Sequence, residues 1–260
     1  MPETSEASEG YTTSEHFCAD DADITFASSN KVLFKIHRSN LITHSEGFSP
    51  PTGYSFSSAD EIVQLTESAE TLHLLFQFMY PQRQPDLRNM PGEAVFDLAE
   101  AAEKYQVFSA METCNRQIGH SIAYVTHPVQ ALLYACKHDY PEVANPAARV
   151  AVFLPPISVY EGLLPDSRAI IAWTKYYAQW HEVLKVASIF QGYNPPDGKH
   201  LDCRAMRNVR IVLGQGVTSL QDLDALFAPM ENIMPNTTSR WRQAVVTAIS
   251  QVKEFSTFLS

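Results

Sequence analysis

The chain has 260 residues, room for one or two domains at about 100–200 residues each. Its 45% hydrophobic content supplies a core, and a charged content of only 18% excludes wholesale disorder. With 19 Lys and Arg against 29 Asp and Glu, the net charge of −10 lacks the positive footprint of general binding to nucleic acid or to an anionic membrane.

No run nears the roughly 20 consecutive apolar residues of a membrane-spanning helix. The start, Met1-Pro2-Glu3-Thr4-Ser5-Glu6, has neither the basic stretch nor the apolar run of a secretory signal. An intracellular protein of the cytoplasm or nucleus is the expectation. Charge is uneven along the chain: residues 1–130 carry 7 basic and 18 acidic side chains, residues 131–260 carry 12 and 11. The two halves are therefore different kinds of module.

Residues 1–20 open the chain as an expected disordered acidic tail, rich in Glu, Ser and Thr up to residue 16. Ile24 and Phe26 then alternate with Asp23 and Thr25, and Val32, Phe34 and Ile36 alternate with Lys31, Leu33 and Lys35. With Ser28-Ser29-Asn30 between them, the two runs read as a β-hairpin. A short helix is expected at 37–44. Gly47, Pro50, Pro51 and Gly53 make 47–60 a loop, and Glu61–Leu65 is a third strand candidate.

Residues 69–80 read as a helix with Leu72, Leu75, Phe76 and Met79 on one face, Leu74 and Phe78 beside them, Ser68 as N-cap and Glu70 in the first turn. Pro81 stops it. Pro91 opens the next helix, lined by Val95, Leu98, Ala99, Ala102 and Tyr105, and a further helix spans about 109–122. The remainder reads as helical: 128–137, 141–153, a stripe of Trp173, Tyr176, Tyr177, Trp180, Leu184 and Ala187, and a final long helix marked by Trp241, Val245, Ala248, Val252, Phe255 and Leu259. Asn194-Pro195-Pro196-Asp197-Gly198 is the clearest linker, and Ser219-Leu220-Gln221-Asp222 fits a capping box.

Chemical motifs are few. His181-Glu182-Val183-Leu184-Lys185 begins like a zinc-protease helix, but Lys185 stands where the second histidine would be. Gly214-Gln215-Gly216 has Ser219 in place of a third glycine, so a helix-ending turn is expected rather than a phosphate cradle. Neither a Gly-x-x-x-x-Gly-Lys-(Ser/Thr) loop nor a Gly-x-Ser-x-Gly elbow occurs. Asn236-Thr237-Thr238 is a glycosylation sequon in form, inert without secretion.

Arg204, Arg207 and Arg210 recur every three residues behind Lys199 and His200, and read as the solvated face of a helix whose other side carries Met206, Val209 and Leu213. Cys18, Cys114, Cys136 and Cys203 form no Cys-x-x-Cys pair. Two disulfides stay open on the even count, and free thiols packed in the fold are expected in a reducing compartment. No catalytic residue, cofactor or metal site is expected.

Three segments, in order and at fitting separations over about residues 21–122, resemble the BTB/POZ domain. Asp23-Ile24-Thr25-Phe26 with Phe34-Lys35-Ile36-His37-Arg38, Leu41, Ser45 and Phe48 is similar to the family's first strand and its Phe-x-x-His-(Arg/Lys)-x-x-Leu-x-x-x-Ser-x-x-Phe run. Leu74–Tyr80 is similar to its helix ending in an aromatic-x-Tyr, and Leu98–Val107 resembles its Ala-Asp-Lys-Tyr helix. Tyr80-Pro81-Gln82-Arg83-Gln84-Pro85 also looks like a fungal, basidiomycete-like branch of these proteins.

The resemblance implies an α+β fold, a small three-stranded sheet with a helical cluster, followed by an all-helical C-terminal region. The expected domains are a tail at 1–20, the BTB/POZ-like part at 21–122, a helical extension at 123–192, and a linker with C-terminal helices at 193–260. It also implies a non-catalytic protein-interaction module that binds protein partners and forms a homodimer. Asp23 and Arg38 are then a candidate charged pair at the dimer interface. Phe26, Phe34, His37, Leu41, Ser45, Phe48, Tyr80, Ala102 and Tyr105 are structural positions, with the His37 ring hydrogen-bonded locally as a helix cap. A substrate adaptor of a cullin-type ubiquitin ligase, or a transcriptional co-regulator without direct DNA contact, are narrower roles of the same class. Proline and glycine at 50–53 and the polar run after Tyr80 depart from the family where relatives build partner grooves.

Overall fold

The structure is a computed structural model that describes residues 10–48, 62–120, 123–189 and 204–259. The chain divides into two compact units, Met1–Ala123 and Tyr124–Ser260. The loop read at 47–60 lies outside the described residues from 49 onward, as do Glu61 and the linker at 194–198.

The first unit is α+β. Strands β1 (Thr12–Thr13), β2 (Ile24–Ala27), β3 (Val32–Ile36) and β4 (Ile62–Gln64) form one mixed sheet in the order β1-β3-β2-β4. The hairpin follows from the alternation: β2 and β3 pair antiparallel with Phe26 opposite Phe34 and Ile24 opposite Ile36, so all four side chains share the buried face. Lys31 at φ 65 closes the turn, where Ser28 Oγ accepts the Val32 N–H at 2.9 Å. Strand β4 adds in parallel to the far side of β2.

Four helices pack beside this sheet: α1 (Arg38–His44), α2 (Ala69–Gln77), α3 (Gly92–Tyr105) and α4 (Phe108–His120). Ser68 caps α2 by accepting the Thr71 N–H, and Val95, Leu98, Ala99, Ala102 and Tyr105 of α3 are all buried, as their spacing predicts. Helix α2 ends at Gln77, three residues before the expected end, because the Phe78 N–H bonds the Leu75 and Phe76 carbonyls and tightens the last turn. Phe78 and Met79 nevertheless remain buried.

Two expectations are corrected here. The sheet has four strands, not three. Residues 10–20 are not a disordered tail: Thr12 and Thr13 pair in parallel with Val32 and Leu33, and Phe17 is buried. The Phe17 ring enters a pocket of rings, and backbone bonds along the β3 edge hold Thr12, Ser14 and Phe17 itself.

The second unit is all-helical. It contains α5 (Ala123–Thr126, shared with the boundary), α6 (Pro128–His138), α7 (Pro141–Ala151), α8 (Pro156–Leu163), α9 (Ser167–Ser188), α10 (Arg204–Leu213), α11 (Leu223–Glu231) and α12 (Pro235–Ser250), with 3-10 turns at Gly216–Leu220 and Phe255–Phe258. Proline stands in the first turn of α6, α7, α8 and α12, where its missing N–H costs nothing. Buried Ala131 and Ala135 face buried Ala144, Ala147, Ala148 and Ala151, small side chains that let α6 and α7 approach closely.

Residues 124–189 and 204–259 belong to one compact unit. The Trp241 indole N–H donates to the Ala187 carbonyl at 3.0 Å and stitches α12 to the end of α9. The capping box at Ser219 does not form. Ser219 sits inside a 3-10 turn and donates to the Gly216 carbonyl, while Asp222 caps α11 by accepting the Ala225 N–H at 2.9 Å. The last long helix stops at Ser250; Phe255 reaches its buried place against Tyr176 (ring centroids 5.7 Å) from a separate 3-10 turn.

Candidate functional site

The base of the hairpin places Asp23 against the backbone of Arg38, not in an ion pair with its guanidinium. The β2–β3 register sets Asp23 beside His37 and Arg38, and the Asp23 carboxylate accepts the Arg38 backbone N–H at 2.6 Å. That N–H is one of the unsatisfied donors at the start of α1, so Asp23 acts as a cap supplied from another element. The expectation that the His37 ring caps α1 is corrected: His37 occupies the N-cap position, but its side chain makes no cap hydrogen bond.

The His37 ring instead ties the hairpin to Tyr80. The Tyr80 hydroxyl accepts the His37 backbone N–H at 3.1 Å and lies 2.9 Å from Nδ1. Nε2 lies 3.2 Å from the Asp21 carboxylate. One proton assignment satisfies all three contacts: Tyr80 O–H donates to Nδ1, and Nε2–H donates to Asp21. Ile42, one helical turn after Arg38 on α1, leaves 54% of its surface to solvent.

The other family positions form the core behind this surface. Phe76 sits among Phe26, Phe34 and Phe17 at ring-centroid distances of 5.6, 5.5 and 5.8 Å. Leu41 and Ala102 are fully buried, and the Phe48 and Tyr105 rings stack at 4.3 Å, 7° from parallel. The Phe76 contacts with Phe26 and Phe34 seat α2 on the hairpin.

A second network locks the end of α3. Ser45 Oγ donates to the Tyr105 carbonyl at 2.5 Å and accepts the Phe48 N–H at 3.2 Å, while the Gly47 N–H donates to the same carbonyl at 3.0 Å. A carbonyl left over at a helix C-terminus is thereby paired twice. The approach needs glycine: a Cβ at Gly47 would stand 2.6 Å from three backbone atoms of Tyr105.

The Tyr105 hydroxyl donates to Glu67 at 2.6 Å, and Lys104 Nζ bonds Glu67 at 2.7 Å and Thr66 at 2.8 Å. Burial works to raise the Glu67 carboxyl, but the bonds from Lys104, Tyr105 and Thr66 outweigh it and hold it below the usual range. Burial, and then the bond to Glu67, push the Tyr105 hydroxyl up to about 12.

Phe17, Gly47 and Glu67 were not singled out for these roles by sequence pattern. Phe17 and Glu67 act through partners distant in the chain, and Gly47 shows only as a loop breaker.

The remaining motifs stay apart. Arg204, Arg207 and Arg210 lie on the exposed face of α10, opposite buried Met206, Val209 and Leu213. The His181 ring contacts the Tyr177 carbonyl at 3.4 Å, and Lys185 pairs with Glu182 at 2.6 Å. Gly214 continues the last turn of α10 and Gly216 has φ 81, the geometry of a helix-ending turn. Thr238 of the sequon is buried in α12.

Cys114 and Cys136 are buried free thiols, both pushed up to about 12, chiefly by burial. Cys18 is free but exposed rather than packed, and Cys203 lies outside the described residues. Among the described residues, no group of three His, Cys, Asp or Glu side chains could hold a metal ion, and no helix is long and apolar enough to cross a membrane.

Residues 14–122 match the family model described as BTB/POZ domain, a span that lies wholly within the first unit. No curated protein matches the chain. The chain thus carries a BTB/POZ domain, a protein-interaction module, and the second unit lies beyond the match.

Proposed function

We propose that the BTB/POZ domain of this chain self-associates and presents docked partners, without chemistry of its own. The carrying observation is the match over residues 14–122 to a protein-interaction family. The hairpin base supports a specific face. Asp23 and Arg38 are joined by a hydrogen bond there, and exposed Ile42 stands one turn further along the same side of α1. An apolar side chain beside two charged residues, Asp23 and Arg38, has the makings of an interface centre with a polar rim.

Sedimentation equilibrium of the intact chain at micromolar concentration tests this. The expected result is the mass of two chains, and the mass of one chain overturns self-association. Ile42→Asp, at an exposed helix position, is expected to weaken the dimer by about tenfold to a hundredfold, the usual scale for a central interface residue. Unchanged self-association would remove α1 from the interface.

Two narrower roles belong to the same reading: substrate adaptor of a cullin-type ubiquitin ligase, and transcriptional co-regulator held to DNA by another protein. Enrichment of a cullin on the intact chain from native lysate supports the first. Chromatin association that disappears with a DNA-binding partner supports the second. Either role places the chain in the cytoplasm or nucleus. The fungal branch is proposed on one ground alone, the resemblance of the run Tyr80–Pro85. Finding the same run at the same position in basidiomycete BTB chains, and not in others, would test that assignment.

A further inference from the structure

The outer edge of β3 is covered by its own chain. The Thr12 and Ser14 N–H groups donate to the Lys31 and Leu33 carbonyls at 3.0 and 2.8 Å, and the Lys35 N–H donates to the Phe17 carbonyl at 2.8 Å. The Phe17 ring then plugs a pocket formed by Phe34, Phe76 and Tyr80. Only two residues of this strap are in strand pairing, so its hold depends on side chains.

Two of those contacts fall on one histidine. The His16 ring meets His73 of α2 at 4.9 Å, 79° from parallel, and Phe17 meets the same ring at 5.7 Å. His16 is exposed and His73 half-buried. We propose that His16 and His73 form an acid-sensitive latch, in which protonation of both rings releases residues 12–17 from the edge of β3.

The physical case rests on like charge. A single proton is tolerated, because a neutral imidazole can face a charged one. Two charged rings at this separation repel, and opening the strap separates them while giving His73 to water. Burial, and then the facing His16, already hold the His73 imidazole below its ordinary value. The sign follows: the closed strap binds fewer protons than the open one, so its stability is full above the ordinary histidine range and falls with pH.

Neighbouring charges do not cancel this. Glu70 lies one turn before His73 on the same helix, so its attraction persists whether the strap is open or closed. Glu15 is exposed on the strap itself, and Lys31 belongs to the turn before β3. Lys35 pairs with Asp20 at 3.6 Å, away from the two rings' contact. His37 faces Asp21 at 3.2 Å, a contact on the segment after Phe17 and not on the strap itself.

Amide hydrogen exchange of the intact chain, expressed as protection factors corrected for intrinsic rates, reads the strap directly. Between pH 7.5 and 5.5 the Ser14 and Lys35 amides are expected to lose about fivefold to tenfold of their protection. The Phe34 and Phe26 amides, inside the β2–β3 hairpin, are expected to hold theirs. His73→Gln is expected to abolish the loss, and His16→Gln, at an exposed position that leaves the fold intact, to shrink it to the part that burial of His73 alone supplies. A pH-independent wild type, or a loss undiminished in His16→Gln, overturns the latch, as does a loss that vanishes in His37→Gln alone.

Discussion

Gly47 and Glu67 show how much of this domain rests on single side chains. A methyl group at Gly47 would meet three Tyr105 backbone atoms at 2.6 Å, and backbone cannot swing aside as a flexible side chain can. Gly47→Ala is therefore expected to destabilise the first unit by about 1–3 kcal/mol, read as a lower denaturant midpoint with unchanged slope.

Glu67 has its carboxyl held below the usual range, so the bonds from Lys104 and Tyr105 stabilise the fold fully above the unfolded carboxylate value. That contribution disappears as pH falls through the folded value. In wild type the melting temperature is expected to drop between about pH 5 and pH 3, and in Glu67→Gln that drop is expected to be shallower. An acid limb of identical steepness in the two proteins would show that Glu67 is not its source. Sequence pattern exposed neither residue: a lone Gly before a proline-rich loop and a lone Glu in a turn gain their roles only when Tyr105 arrives from nearly 40 residues or more away.

At the level of elements, periodicity located nearly every helix and both strands of the hairpin, because each has one face that must leave water. Ends were less legible. The stretch Ser219–Asp222 offers two cap residues to one helix, and burial of Ser219 with Val217 and Leu220 in a 3-10 turn leaves the role to Asp222. Asp222→Ala is expected to cost about 0.5–2 kcal/mol, while removal of the Ser219 hydroxyl costs α11 no cap. Chemical denaturation of the two variants, monitored by helical circular dichroism, checks the ranking.

Helix α12 failed to run to the end of the chain for a similar reason. Phe255 has a fixed destination against Tyr176, and Arg149 pairs with Glu254 while the Ser256 N–H bonds Asn145 at 2.9 Å. These anchors reward a turn over another helical stretch. Strand β1 had no signal at all: Thr12–Thr13 shows no alternation, and its place comes from the open edge of β3 and the pocket that receives Phe17.

For the molecule as a whole, the charge difference between the halves already announced two unlike modules, and the structure divides at residue 123. The sequence by itself determined the hairpin, the buried faces of α2, α3 and α9, and the resemblance of the first module, since these depend on spacing within one element. Only tertiary structure decided that Asp23 and not His37 caps α1, that His37 reaches Tyr80, that His16 meets His73, and that the helices after residue 124 make one unit. Each of these joins groups far apart in the chain, and a local pattern carries no record of which distant partner closes the loop.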